Sequence, residues 1–170
     1  MGAEMTGRGW RLAAVIFITM LAASLPWAAV AESIRLPAGP QIELRNGELS
    51  LLARVVQAES ANQPMAGQRA VAWTAVNRLR AGTYGKTLSQ VLLARHQYAR
   101  PKPLNSTSPA YRTALMAALM ATRGTLPDDS RGATHFHACA MKRRPAWAAR
   151  LKPTIRISSH CFYRLKEPQS

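Results

Sequence analysis

One carboxylate lies where an acid is not expected. The segment 48–60 carries its apolar residues at helical spacing, and Glu59 falls on the same stripe as Leu52 and Val56. An acid in an apolar wall keeps its proton to higher pH, as a general acid working near neutrality requires. Alternatively, Glu59 turns outward at the helix end or pairs with an arginine, since structural ion pairs also perturb acids. The spacing leaves both interpretations open.

A second group of reactive side chains alternates along a short segment near the C-terminus. His135, His137 and Cys139 recur at every second residue, so on a strand they would share one face. With His160 and Cys161 they could ligate zinc. The alternative is that the histidines form the wall of a cleft and the cysteines are bonded to each other.

The remaining acids are few. From Glu48 onward the chain contains only Glu48, Glu59, Asp128, Asp129 and Glu167. A two-carboxylate glycosidase would have to recruit Asp128 or Asp129 from a loop, so a mechanism with one acid is simpler. No G-x-S-x-G motif supports a serine nucleophile.

The N-terminus has the features of a secretory signal. Arg8 and Arg11 precede an apolar run over about 12–30, and small residues lead to a predicted cleavage after Ala31. The run is also near the length that spans a bilayer, so an uncleaved anchor is the alternative. Either way we expect export to the periplasm, the cell envelope or the medium, with no stable membrane anchor after cleavage.

Export bears on the two cysteines, Cys139 and Cys161. In an oxidising compartment they are most simply one disulfide across a separation of 22 residues. The sequence does not show whether they are close enough to bond.

The chain is strongly basic, with 23 Lys and Arg against 8 Asp and Glu and a formal net charge of +15. This balance favours an anionic partner, and outside the cytoplasm the candidates are wall polymer, anionic lipid and polysaccharide. Lys142, Arg143 and Arg144 form the cluster predicted to hold anionic envelope polymer. No nucleic-acid motif is present, so no nucleic-acid partner is predicted. Alternatively, the charge serves only solubility.

Four helices and a small β region must position these residues. The helices are predicted over 48–60, 64–79, 87–95 and 109–123, and strands over 133–138 and within 155–164. Residues 1–31 are a predicted signal peptide, 32–47 a linker or strap, and 48–170 one domain. We predict a predominantly helical, compact, lysozyme-like α+β fold with a small β or loop region near the C-terminus.

Five short motifs in order resemble the SleB-type cell wall hydrolases. They are LARVVQAESANQP, GQRAVAWTAVNR, GATHFHA, PAWA and HCFYR, within about 49–164. The resemblance implies a lysozyme-like or transglycosylase-like domain that cuts glycan strands between N-acetylmuramic acid and N-acetylglucosamine. It implies no cofactor.

The resemblance also assigns roles to residues. The family's catalytic glutamate falls on Glu59, and Phe162 matches the first residue of a terminal aromatic pair. The residues expected to bind substrate are Gln97, Tyr98, His135, Phe136, His137 and Tyr163. Ser60-Ala61 departs from the family's more usual Ala-Arg, and the cysteines are not general family features. The binding repeats of spore members are absent, so a germination role does not carry over.

The resulting expectation is a lytic transglycosylase with Glu59 as its single general acid, or a muramidase if water attacks instead. The alternatives are a zinc-dependent wall amidase or peptidase using His135, His137 and His160, and a non-catalytic cationic glycan-binding module.

Overall fold

The computed structural model describes residues 42–166, so the predicted signal peptide and most of the predicted strap lie outside the described residues. The helices are α1 (Glu48–Ser60), α2 (Met65–Ala81), α3 (Leu88–Leu93) and α4 (Pro109–Arg123), with a 3-10 helix at Ala146–Ala149. The strands are β1 (His135–Ala138), β2 (Lys152–Ile157) and β3 (His160–Arg164). The predominantly helical α+β prediction is therefore confirmed.

The helix ends follow local chemistry. Gly82 adopts a left-handed conformation after α2 (φ 66°), and its N–H donates to the Leu79 carbonyl, which ends the helix. Helix α3 begins where the Thr87 hydroxyl accepts a hydrogen bond from the Gln90 N–H. It ends at Leu93, two residues before the predicted end, because Ala94 already has an extended backbone.

Helix α2 is the centre of the domain, since it packs against α1, α3, α4 and β1. Its buried face is rich in small side chains, among them Ala70, Ala72 and Ala75, and α4 presents Ala114, Ala117 and Ala121. Small residues let helix backbones approach closely, so α2 and α4 can pack tightly against each other.

The three strands form an antiparallel sheet in the order β1-β3-β2. In the β1–β3 register Phe136 lies opposite Phe162, and His135 lies opposite Tyr163. Phe162 is fully buried in the core. Because side chains alternate along a strand, His135 and His137 share the other face, as the sequence predicted.

One buried amide joins the helices to the sheet. Gln63 follows α1, and its Nε2 donates to Ser159 Oγ (2.8 Å) in the turn between β2 and β3. Gly67 allows this, because a Cβ there would lie 3.0 Å from the Gln63 Cβ. The end of α1 that carries Glu59 is thereby held against the sheet.

The described end of the predicted strap contacts the core. Ile42 donates its N–H to the Thr122 carbonyl (3.3 Å), and Leu44 packs against the same cluster. Within residues 42–166, no helix is both long and apolar enough to cross a membrane.

Candidate active site

A cleft of about 290 Å³ opens where α2, the loop after α3, β1 and the 3-10 helix meet. Its lining is aromatic and basic, and consists of Arg78, Tyr84, His96, Gln97, His135, Phe136 and Trp147. Three of the predicted substrate-binding residues, Gln97, His135 and Phe136, thus line one cleft. Such a mixture of flat rings and a few polar groups is typical of sites that bind sugars or other small polar ligands.

Glu59 lies in the last turn of α1, beside the loop that forms one edge of the cleft. Its side chain is half-buried, and its Oε1 accepts a hydrogen bond from the Ala99 N–H. Ala99 is two residues beyond Gln97, so the same loop lines the cleft and holds the carboxyl group. Burial raises the pKa of Glu59, although the Ala99 N–H and the charge of Arg78 oppose the rise.

Arg78 connects this carboxyl to the cleft. It is 3% exposed, and its Nε donates to the Thr134 carbonyl. Its guanidinium carbon lies 4.7 Å from the centre of the Tyr84 ring and 4.5 Å from that of Tyr98. Two rings therefore hold the cation in place through cation–π contacts.

The loop after α3 places Gln97 and Tyr98 differently. His96 adopts a left-handed backbone (φ 60°), and the chain then brings Gln97 to the cleft. The Tyr98 hydroxyl shares a hydrogen bond with Thr74 Oγ1 (3.0 Å), and burial raises its pKa. Tyr98 therefore supports Arg78 and is not among the side chains lining the cleft.

His135 is fixed at both ring nitrogens. Its Nε2 lies 2.9 Å from the Tyr84 hydroxyl, and its Nδ1 lies 2.9 Å from Thr134 Oγ1. Burial, followed by the nearby charge of Arg78, lowers the pKa of His135 to about 4. The ring is therefore neutral at neutral pH, and both of its nitrogens are bound by protein groups. It contributes a flat, uncharged surface to the cleft.

Four rings extend the cleft wall along the sheet. Trp147 lies 5.1 Å from His135, 5.8 Å from His137 and 5.6 Å from Tyr163, measured between ring centres. His137 stacks on Tyr163 at 5.3 Å with 17° between the planes, and its Nε2 lies 3.1 Å from the Tyr163 hydroxyl. The predicted residues His137 and Tyr163 thus continue the wall that His135 begins.

Phe136 and His160 lie on the opposite face of the sheet from this wall. Their rings are 5.3 Å apart, and Phe136 also packs 5.7 Å from Phe162. Burial, followed by the charge of His137, lowers the pKa of His160. Phe136 therefore forms the back of the cleft and joins it to the core.

The zinc alternative finds no ligand set in this arrangement. His160 faces away from His135 and His137, and Cys139 and Cys161 form a disulfide. Within the described range, no three His, Cys, Asp or Glu side chains are placed to hold a metal ion. The expected cysteine pairing is present.

The predicted basic cluster follows β1. Lys142, Arg143 and Arg144 are all exposed, and the Arg144 guanidinium carbon lies 5.4 Å from the centre of the Tyr163 ring. Arg144 also donates to the Ala148 carbonyl (3.1 Å), so it borders the aromatic wall.

The loop acids are engaged in structure. Asp129 forms a bidentate ion pair with Arg69, at 2.7 and 2.8 Å. Asp128 accepts hydrogen bonds from the N–H groups of Ser130 and Gly132 and from the Asn77 amide. Both carboxylates thus fix the loop before β1.

Sequence reasoning missed several contributors. Arg78 occupies a helix position that reads as solvated, Tyr84 lies in a turn, and Trp147 stood out only as part of the PAWA motif. No local signal distinguishes Arg78 from Arg80 on the same helix, because the contacts of Arg78 with Tyr84 and Tyr98 join separate parts of the chain.

The same arrangement of elements occurs in known structures. The catalytic domain of the Bacillus cereus SleB protein matches with a TM-score of 0.60 and 22% identity, covering 72% of this chain and 93% of that one. The catalytic domain of the germination-specific lytic transglycosylase SleB from Bacillus anthracis matches with a TM-score of 0.58 and 22% identity, covering 71% and 96%. At 22% identity, the similarity to these two structures establishes the fold alone. No curated protein matches the chain in sequence.

The family is established by sequence. The profile of the Cell Wall Hydrolase family matches residues 62–163, which is more than half of the chain. The match begins three residues after Glu59 and includes the cleft, the aromatic wall and the disulfide. The chain belongs to the cell wall hydrolase family.

Proposed function

We propose that this protein cleaves peptidoglycan glycan strands between N-acetylmuramic acid and N-acetylglucosamine, with Glu59 as the single general acid. The observation that carries the proposal is the half-buried Glu59 carboxyl, whose pKa is raised, beside an aromatic cleft. Membership of the cell wall hydrolase family and the fold shared with a lytic transglycosylase support it.

The chemistry begins with the protonated Glu59. It donates its proton to the glycosidic oxygen while the bond to the muramyl C1 breaks, so that the sugar becomes oxocarbenium-like. The carboxylate that remains is stabilised by the Ala99 N–H and by the nearby charge of Arg78. Both groups are in place before the reaction, so they need not reorganise as the charge forms.

The second half of the reaction needs no second carboxylate. The muramyl 6-hydroxyl attacks C1 and returns its proton to Glu59, which closes a 1,6-anhydro ring and regenerates the acid. This is the lytic transglycosylase outcome, and attack by water would give a muramidase. Asp128 and Asp129 already bind other groups of the protein. The intramolecular route does not require them, since Glu59 is the one acid that it uses.

Product analysis tests the proposal. Purified sacculi digested with the wild-type domain should release fragments that carry 1,6-anhydromuramic acid, as read by mass spectrometry. Reducing-end muramic acid alone would contradict the transglycosylase version. Absence of any released fragment would contradict the proposed function.

Asp129→Asn tests the claim of a single acid. We expect kcat to stay close to that of the wild type, because Asp129 serves the ion pair with Arg69. This pair is partly exposed, so the free energy of unfolding should fall by about 1 kcal/mol or less. Steady-state kinetics and denaturant unfolding measure both. A folded Asp129→Asn protein without activity would show that a second carboxylate takes part.

A further inference from the structure

The cleft contains a buried cation that forms no ion pair with an acid of residues 42–166. Arg78 is 3% exposed, and its Nη1 is buried without a hydrogen-bond partner among residues 42–166. The salt bridge of the nearby loop joins Arg69 to Asp129 and does not include Arg78. A buried charge is costly unless it is paired, so the free donor is suited to an anionic group of a ligand.

The surroundings of Arg78 add no negative charge when the enzyme is ready to react. His135 is neutral near pH 7, and no acid lines the cleft. Glu59 interacts electrostatically with Arg78, and in the proposed mechanism it is protonated before the reaction. The cleft therefore has a net positive charge at the moment it must bind substrate.

The position of Arg78 indicates which part of the substrate it meets. It is within electrostatic reach of Glu59, which acts at the C1 side of a muramyl unit under the proposed function. That unit carries a lactyl ether on O3, which ends in an amide where the peptide is attached and in a free carboxylate where the peptide has been removed. At the lactyl group itself, only the free carboxylate supplies an anion.

We propose that Arg78 determines specificity by binding the free lactyl carboxylate of a muramyl unit, so that the enzyme prefers glycan strands without peptides. This inference rests on the proposed function, because it assigns the muramyl unit to the site beside Glu59. The Tyr84 and Tyr98 rings and the Thr134 carbonyl orient the guanidinium for the contact.

The test compares three soluble glycan oligomers of the same length. One carries free lactyl carboxylates, the second carries the corresponding methyl amides, and the third carries intact peptides. For the wild type we expect kcat/KM to be roughly 10- to 100-fold higher for the free acid than for the methyl amide, as for hydrogen bonds to charged groups. The peptide-bearing oligomer should resemble the amide. Equal rates for acid and amide, or a preference for the peptide, would overturn the inference.

Substitutions test whether Arg78 is the residue that prefers the free acid over the amide. In Arg78→Gln the ratio between acid and amide should fall to about one, whereas Arg112→Gln, at an exposed position of α4, should keep the wild-type ratio. Each ratio is measured within one protein preparation, so a lower folded fraction cancels. If Arg78→Gln does not fold, Arg78→Lys should still show a smaller ratio because it lacks the planar fork. A wild-type ratio in the folded Arg78 variant would overturn the assignment.

A binding measurement on an inactive variant tests this inference independently of the proposed function. The Glu59→Gln protein should bind the free-acid oligomer more tightly than the amide by calorimetry, even without cleavage. If the wild type cleaves neither oligomer but this preference holds, the proposed function fails and the carboxylate site stands. If both are cleaved without any preference in binding or rate, the proposed function stands and the inference fails.

Discussion

Replacing Glu59 by glutamine should lower kcat for glycan cleavage by about 100-fold or more, the contribution typical of a general acid. Glutamine has the same shape and keeps an oxygen that can accept the Ala99 N–H, but it has no acidic proton to donate. The measurement is release of soluble fragments from sacculi. Asp129→Asn is the matched control, since it makes the same chemical change at an acid that we place outside the mechanism. A folded Glu59→Gln protein with kcat near that of the wild type would refute the general-acid role.

The pH profile adds an independent readout of the same group. Burial raises the pKa of Glu59, so the reactive protonated form persists to higher pH than in an ordinary glutamate. Wild-type activity should fall as the pH rises through this pKa, and the residual activity of Glu59→Gln should lack that decline.

The same rise in pKa predicts that Glu59→Gln changes stability in the direction opposite to its effect on activity. A carboxyl whose pKa is higher in the folded state than in the unfolded state stabilises the fold at low pH, and this stabilisation is lost as the pH rises through the folded pKa. Glu59→Gln should therefore be at least as stable as the wild type at neutral pH. A gain in stability with a loss of activity would be the behaviour expected of a residue placed for chemistry.

Local patterns were sufficient to predict the elements that carry the site. Apolar spacing placed Glu59 on the half-buried side of α1, and alternation placed His135 and His137 on one face of β1. These predictions succeed because burial on one face imposes a period on the sequence. The disulfide followed from the expected compartment and the presence of only two cysteines.

The remaining features depend on contacts between distant segments. Tyr98, predicted to bind substrate, also packs its ring against Arg78 from α2, a contact that its sequence position did not indicate. Gln63 follows α1 as an ordinary turn residue, yet its amide binds the β2–β3 turn 96 residues away. Hydrophobic periodicity within a segment does not predict contacts between distant segments. The roles of Tyr98 and Gln63 are therefore seen only in the folded structure.

The disulfide between Cys139 and Cys161 should contribute about 3 kcal/mol to the free energy of unfolding, because it closes a separation of 22 residues in the unfolded chain. Replacing both cysteines by alanine, or reducing the bond, should shift denaturant unfolding of the domain by that amount. The double variant is the control for reduction, since added dithiothreitol should leave its unfolding curve unchanged.

Loss of this bond should also weaken substrate binding. The loop that it closes contains the 3-10 helix with Trp147, whose ring contacts His135, His137 and Tyr163. Without the cross-link the ends of this loop are held by the hydrogen bonds between β1 and β3, and the ring by its packing contacts. KM for glycan oligomers should therefore rise more than kcat falls, since Glu59 is on α1 outside the loop. If kcat falls while KM is unchanged, the disulfide acts on the position of the catalytic acid, and the aromatic wall does not depend on it.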